Sequence, residues 1–269
     1  MLAELRAASH SLSPALARVA EYVLGQPEAV LSQTVTELAE QAGSSEATII
    51  RLCRAQGFGG FQAFKLALAS ELATSGAAPA RPRDEVGGLV ALADTALRDT
   101  EALLDRALLD RVAQRLLAAR RILLFGAGAS AISARYGLYK LVRLGLPAVA
   151  HDDAHHAAMA ATGSGPEDVV VVVSSSGSTV DSVRVAELAG RSGAFVVAVT
   201  NRQRSPLVTA SAAALVGAAP ETPLTGGAFP AKLGQLLLLE AVYTRLQALR
   251  PELATAIEAT ARSVTDRSF

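Results

Sequence analysis

Residues 169–181 read VVVVVSSSGSTVD. Five consecutive valines offer no polar face, which is the pattern of a strand buried on both sides. Such a strand needs helices above and below it, so it points to a parallel α/β sheet. The strand runs into Ser174, Ser175, Ser176, Gly177, Ser178 and Thr179, and a helical pattern starts at Val180. One Ser or Thr is enough to cap a helix. Five hydroxyls around one glycine, with successive backbone amides, make an anion nest. The plainer alternative is a serine-rich strand-to-helix turn.

Working outward, ILLFGAGAS at 122–130 is a second strand entering a glycine turn and a helix. Gly126, Gly128 and Ala131 fit a loose dinucleotide fingerprint, G-x-G-x-x-A. Neither Asp152 nor Asp153 sits cleanly at the end of the next strand to bind a ribose, so no cofactor is expected. Strands are predicted at Arg121–Phe125, Ala148–Ala150, Val169–Val173, Phe195–Thr200 and Ala213–Val216. Helices are predicted at Val86–Leu104, Leu108–Ala119, Ala131–Leu144, Ala154–Ala161, Val180–Ser192 and Leu233–Leu249, with a last amphipathic one at Pro251–Val264. Strands alternating with helices mean βαβ units. In a sheet of order 2-1-3-4-5 the two special loops follow neighbouring strands, where the strand order reverses and ligands bind. Ser130 and the 174–179 loop would then face one pocket. Hydroxyl donors and two helix N-termini suit a phosphate monoester.

Three of the four histidines fall in His151-Asp152-Asp153-Ala154-His155-His156. Helical spacing would join His151 and His155 only if a helix began before His151. The preceding strand signal argues otherwise, so no metal site is expected. An Asp cap followed by an exposed helix, or a His155 that touches a ligand, both remain open.

Residues 1–74 show helical apolar spacing in short units and no alternation. Residues 75–84, SGAAPARPRD, carry little that could pack and read as a linker. This gives an all-α domain at 1–74 and an α/β domain at 85–269. Within the first, residues 34–58 have helix-turn-helix grammar: a helix ending near Gln41-Ala42, a turn at Gly43, and a cap at Ser44 or Ser45. Ile49, Ile50, Leu52 and Cys53 would be buried. Ser44, Ser45, Glu46, Thr48, Arg51 and Arg54 would form the face that enters a DNA major groove. The charge balance is unhelpful. Residues 1–77 hold five basic groups (Arg6, Arg18, Arg51, Arg54, Lys65) against seven glutamates, so two readers on a dimer are needed.

The whole chain of 269 residues is 51% apolar and 19% charged, which excludes wholesale disorder. Its net charge is zero, so no global field points to nucleic acid or membrane. One cysteine, Cys53, excludes an internal disulfide. The apolar runs are too short to span a bilayer. Glu4, Arg6 and His10 argue against a signal peptide, and a cytoplasmic location is expected.

The residues together resemble the RpiR family of transcriptional regulators, a helix-turn-helix domain joined to a sugar isomerase (SIS) domain. The resemblance rests on GAGAS at 126–130, SSSGST at 174–179, TNRQRSPL at 200–207 and E-x(5)-G-A from Glu221 to Ala228. It implies a five-stranded parallel sheet of flavodoxin-like order in the SIS domain. It also implies a phosphorylated sugar as effector, operator DNA as partner, and a homodimer or homotetramer. By resemblance, Ser174, Ser176 and Thr179 take the phosphate, with Ser175 and Gly177 in the same loop and Ser130 closing the pocket. His155 and Lys232 are placed to contact the sugar or its phosphate, and Glu221 resembles the carboxylate that approaches sugar hydroxyls. Many relatives carry Arg where Lys232 stands, and lysine lacks the bidentate fork. The expected role is a repressor of carbohydrate metabolism genes and not an enzyme. The alternative is an aldose–ketose sugar-phosphate isomerase with Glu221 or His155 as general base.

Overall fold

The computed structural model describes residues 1–9, 12–74, 84–219 and 229–263. One compact unit takes in the chain up to Leu89, and the other begins at Val90. Apart from Asp84, the expected linker lies outside the described residues.

The first unit is helical: α1 (Leu2–Ala8), α2 (Pro14–Gly25), α3 (Pro27–Ser32), α4 (Val35–Gln41), α5 (Glu46–Ala55) and α6 (Phe61–Thr74). Pro14 and Pro27 sit in first turns, where the missing N–H costs nothing. Its core gathers Leu5, Val19, Val23, Leu38, Ile49, Leu52, Phe64 and Leu68, all essentially inaccessible.

After α7 (Glu85–Leu103) and α8 (Arg106–Ala118) comes the α/β part. Its elements are β1 (Arg121–Gly126), α9 (Ala129–Arg143), β2 (Ala148–His151), α10 (Ala154–Thr162), β3 (Asp168–Val173) and α11 (Val180–Arg191). They continue with β4 (Phe195–Thr200), α12 (Pro206–Thr209), β5 (Ala213–Val216) and α13 (Phe229–Leu249), and a 3-10 turn at Pro251–Leu253 leads to α14 (Ala254–Arg262). The five strands are parallel in the order β2-β1-β3-β4-β5.

The five-valine strand β3 is central, and its residues alternate between two cores. Val169, Val171 and Val173 join α8, α9 and α13 on one face. Val170 and Val172 join α10 and α11 on the other. Each fully buried valine contributes about 1.5–3 kcal/mol, so this strand anchors both layers.

Most boundaries differ from the sequence reading by only a residue or two. The larger difference is α13, which begins at Phe229, four residues before Leu233. Pro230 in its first turn is compatible with a helix start. The expected C-terminal helix is broken, with Pro251 opening a 3-10 turn before α14.

Candidate functional site

β1 and β3 are neighbours in the sheet, and the strand order reverses between them. Their C-terminal ends deliver the two loops to one place. α9 begins at Ala129, so Ser130 stands in its first turn and not in the loop before it. Ser130 is 7% exposed. After β3, Ser174 and Ser175 are buried, and Ser176 and Thr179 are partly exposed. The Ser174 and Thr179 hydroxyls share a hydrogen bond at 3.3 Å. The Ser178 N–H donates to Ser176 Oγ at 3.2 Å. Gly177 has φ +61, and a Cβ there would meet Ser205 Oγ at 2.2 Å. Only glycine both takes this conformation and leaves room for Ser205.

Lys232, in the first turn of α13, closes the group. Its ammonium donates to Ser175 Oγ at 2.6 Å, to Ser130 Oγ at 3.3 Å and to Gln235 Oε1 at 3.3 Å. Gln235 is fully buried and donates from Nε2 to Ser175 Oγ at 2.9 Å. Ser133 Oγ donates to Gln235 Oε1 at 2.7 Å. One cation, fixed hydroxyls and the N-termini of α9 and α11 therefore share one small region. Such an array can stabilise a multiply charged anion. Gln235 and Ser133 were not singled out from the sequence. The available signal was a polar residue one turn beyond Lys232 on an otherwise apolar helix face.

Among the described residues the side-chain hydrogen bonds of the histidine segment are to Arg135 and within its own cap. β2 is the edge strand, and α10 starts just beyond it. Asp153 caps α10 by accepting the His156 N–H at 2.9 Å, and this bond holds its carboxyl below the usual range. Asp152 pairs with Arg135, whose hydrogen bond lowers its carboxyl likewise. His155 is exposed on the first turn of α10. Among the described residues no group of three or more His, Cys, Asp or Glu could hold a metal. Glu221 lies outside the described residues.

A second exposed face belongs to the first unit. Thr34 and Glu37 form a capping box that starts α4. Gly43 (φ +57) turns the chain, and Ser45, rather than Ser44, caps α5 by accepting the Thr48 N–H. Ile49, Leu52 and Cys53 point into the core, whereas Ile50 is only partly buried. Burial pushes the Cys53 thiol up to about 12, which leaves it an inert packing residue. Arg51 and Arg54 are both exposed, three residues apart on one side of α5. Ser45 is exposed as well, and its hydroxyl meets that of Thr48 at 2.9 Å. Glu46 accepts from Thr36 Oγ1 at 2.5 Å, which ties it to α4.

Residues 1–75 match the helix-turn-helix domain of the rpiR family, and residues 115–245 match the SIS domain. An HTH-type transcriptional regulator of Haemophilus influenzae is 32% identical over 247 residues, covering 88% of this chain and 86% of its own. Another, of Caldanaerobacter subterraneus, is 30% identical over 256 residues, with 90% and 89% covered. The structure of the Vibrio vulnificus NanR protein complexed with ManNAc-6P is 39% identical, covers 99% of this chain and 98% of its own, and gives a TM-score of 0.93. The sugar isomerase domain of an RpiR transcription factor from Sphaerobacter thermophilus shares the fold at 17% identity and a TM-score of 0.57 over 65% of this chain and 97% of its own. The chain belongs to the RpiR family of HTH-type transcriptional regulators, with its helix-turn-helix domain ahead of its SIS domain.

Proposed function

We propose that the C-terminal unit binds a phosphorylated sugar and that this ligand sets the affinity of the N-terminal unit for operator DNA. The observation that carries the reading is Lys232, held by Ser130 and Ser175 at the point where the strand order reverses. The phosphate takes Ser174, Ser176, Thr179 and Lys232, with Ser175, Gly177 and Ser130 shaping the floor. His155 and Glu221 are the proposed sugar contacts. The Vibrio NanR structure contains ManNAc-6P, which makes N-acetylmannosamine 6-phosphate the first ligand to try.

The N-terminal unit reads double-stranded DNA with the start of α5. Arg51 and Arg54 contact base edges or phosphate, and Ser44, Ser45, Glu46 and Thr48 lie at the entry. With so few basic groups, a homodimer or homotetramer supplies the second reader. The regulator acts in the cytoplasm as a repressor of carbohydrate metabolism genes and turns over no substrate. Among the described residues no helix is long and apolar enough to cross a membrane.

Titration calorimetry with N-acetylmannosamine 6-phosphate, its dephosphorylated parent and inorganic phosphate tests the pocket. Binding that requires the phosphate and is lost in Ser176→Ala supports it. Equal binding of the unphosphorylated sugar contradicts it. Product formation in an aldose–ketose assay would move the chain to the isomerase class.

A further inference from the structure

α7 is held in an unusual way. Of its 19 residues only Ala93, Ala96 and Thr100 are buried. These positions form one narrow stripe of small side chains. Ala96 packs with Ala219 and Ala231. Thr100 is fully buried; its hydroxyl donates to the Ala96 carbonyl at 2.6 Å and accepts the Ala218 N–H at 3.0 Å. Two glycines permit this approach. A Cβ on Gly234 would lie 3.1 Å from Thr100 Oγ1, and one on Gly217 would lie 2.8 Å from Asn201 Oδ1.

The first turns of α13 therefore serve two neighbours at once. Ala231 and Gly234 face α7, while Lys232 and Gln235 face the serine loop. Asn201 makes a second tie. Its N–H donates to the carbonyl of Ser175, the residue that holds Lys232 most closely, at 3.1 Å. Its side chain lies against Gly217 and Gly234. Asn201 is 7% exposed, and among the described residues neither its Nδ2 nor its Oδ1 has a hydrogen-bond partner. A buried amide left unpaired is costly and demands an explanation. Any rearrangement that pairs this amide is favoured by that same cost.

We propose that the contact of Thr100, Asn201 and Gly234 relays pocket occupancy to α7, the helix that follows the segment leading from the DNA reader. The relay rests on the functional reading above. A phosphate that draws Lys232 away from Ser175 acts on both ties, α13 and the Ser175–Asn201 bond. α7, docked through three small residues, moves with them. The coupling is carried by an element whose position both sites bias.

The test uses the full chain with N-acetylmannosamine 6-phosphate and DNA from upstream of its own gene. Thr100→Val keeps the shape of the side chain and removes the acceptor for Ala218. Its affinity for the sugar phosphate stays within about threefold of wild type, and so does its affinity for DNA without ligand. The ratio of DNA affinities with and without ligand is about 5- to 150-fold in a coupled regulator. It falls below about twofold in Thr100→Val and is restored in Thr100→Ser. Gly234→Ala, a change that favours helix, presses on Thr100 from the other side and gives the same loss should Thr100→Val fold poorly. A Thr100→Val or Gly234→Ala protein with the full wild-type ratio overturns the relay alone. A wild-type chain without any ligand response overturns the functional reading and the relay together.

Discussion

The two units solve recognition in opposite ways. In the C-terminal unit the polar groups of the candidate site are largely buried and already bonded to one another, as Lys232, Gln235, Ser133 and Ser175 show. In the N-terminal unit the candidate contacts Arg51 and Arg54 stand in solvent, with no ion pair among the described residues. A small anion rewards a site organised in advance, because the protein has then already met the cost of ordering it. A DNA groove is wide and wet, so its reader presents flexible charged side chains on a rigid helix. The same contrast separates what each side chain does for stability. Changes to buried polar groups should disturb the fold or the ligand, and changes to the reading face should disturb DNA binding alone.

The largest expected effect tests the buried half of this contrast far from the pocket. Asp168 opens β3 with 1% exposure and accepts from Arg120 at 3.0 Å, Arg121 at 3.1 Å and the Gly165 N–H at 3.0 Å. Burial alone would raise its carboxyl, but these hydrogen bonds win and hold it below the usual range. Asp168→Ala removes the acceptor that Arg120, Arg121 and the Gly165 N–H share, while Arg121 keeps the Gly163 carbonyl, and should cost about 2–3 kcal/mol in a denaturant titration. Because the folded value lies below the unfolded one, the same group lends stability above about pH 4 that disappears as pH falls through the folded value. An Asp168→Asn protein should show a shallower loss of stability in that acid range. If both variants match wild type, buried charge is not what distinguishes this unit.

Next in size is Lys232→Met. Loss of a charge-assisted contact to phosphate removes about 1.5–3 kcal/mol of binding, a drop of roughly 10- to 150-fold by calorimetry. Lys232→Arg keeps the charge but needs a wider space than the 2.6 Å bond to Ser175 now occupies, so it should fall between the two. Unchanged sugar-phosphate affinity in Lys232→Met would break the account of the pocket.

Arg51→Ala and Arg54→Ala address the other unit. Each should weaken specific DNA binding about tenfold or more in an anisotropy titration. Each should leave unfolding within about 0.5 kcal/mol of wild type, as suits an exposed side chain. A destabilised but DNA-competent variant would reverse the comparison. The smallest effect concerns the frame of the reader: Thr34→Ala removes the capping box of α4 and should cost about 1 kcal/mol in thermal unfolding.

These contrasts also explain what could be seen in the sequence. The five valines of β3 announce a strand covered on both faces, and the structure places them at the centre of the sheet. Local signals such as Ser13-Pro14, Gly43 and Ser45 mark their turns and caps because the physics there involves only a few neighbours. The serine loop was visible for the same reason. The pairing of Ser133 with Gln235 spans 102 positions and leaves no local trace. The docking of Thr100 on Ala218 spans 118. The four-residue helix α12 is too short to show a period. The Asp153 cap at the start of α10 is a local signal of the same kind as the Ser45 cap.

The most direct test of the central claim is an anisotropy titration of the full chain with DNA from upstream of its own gene, at fixed near-physiological salt, with and without N-acetylmannosamine 6-phosphate. Unlabelled random DNA serves as competitor. The account predicts sequence-specific binding whose midpoint moves at least fivefold when the sugar phosphate is added, and no such movement in Ser176→Ala. Binding no tighter than to random DNA, or specific binding indifferent to the sugar phosphate, would contradict it.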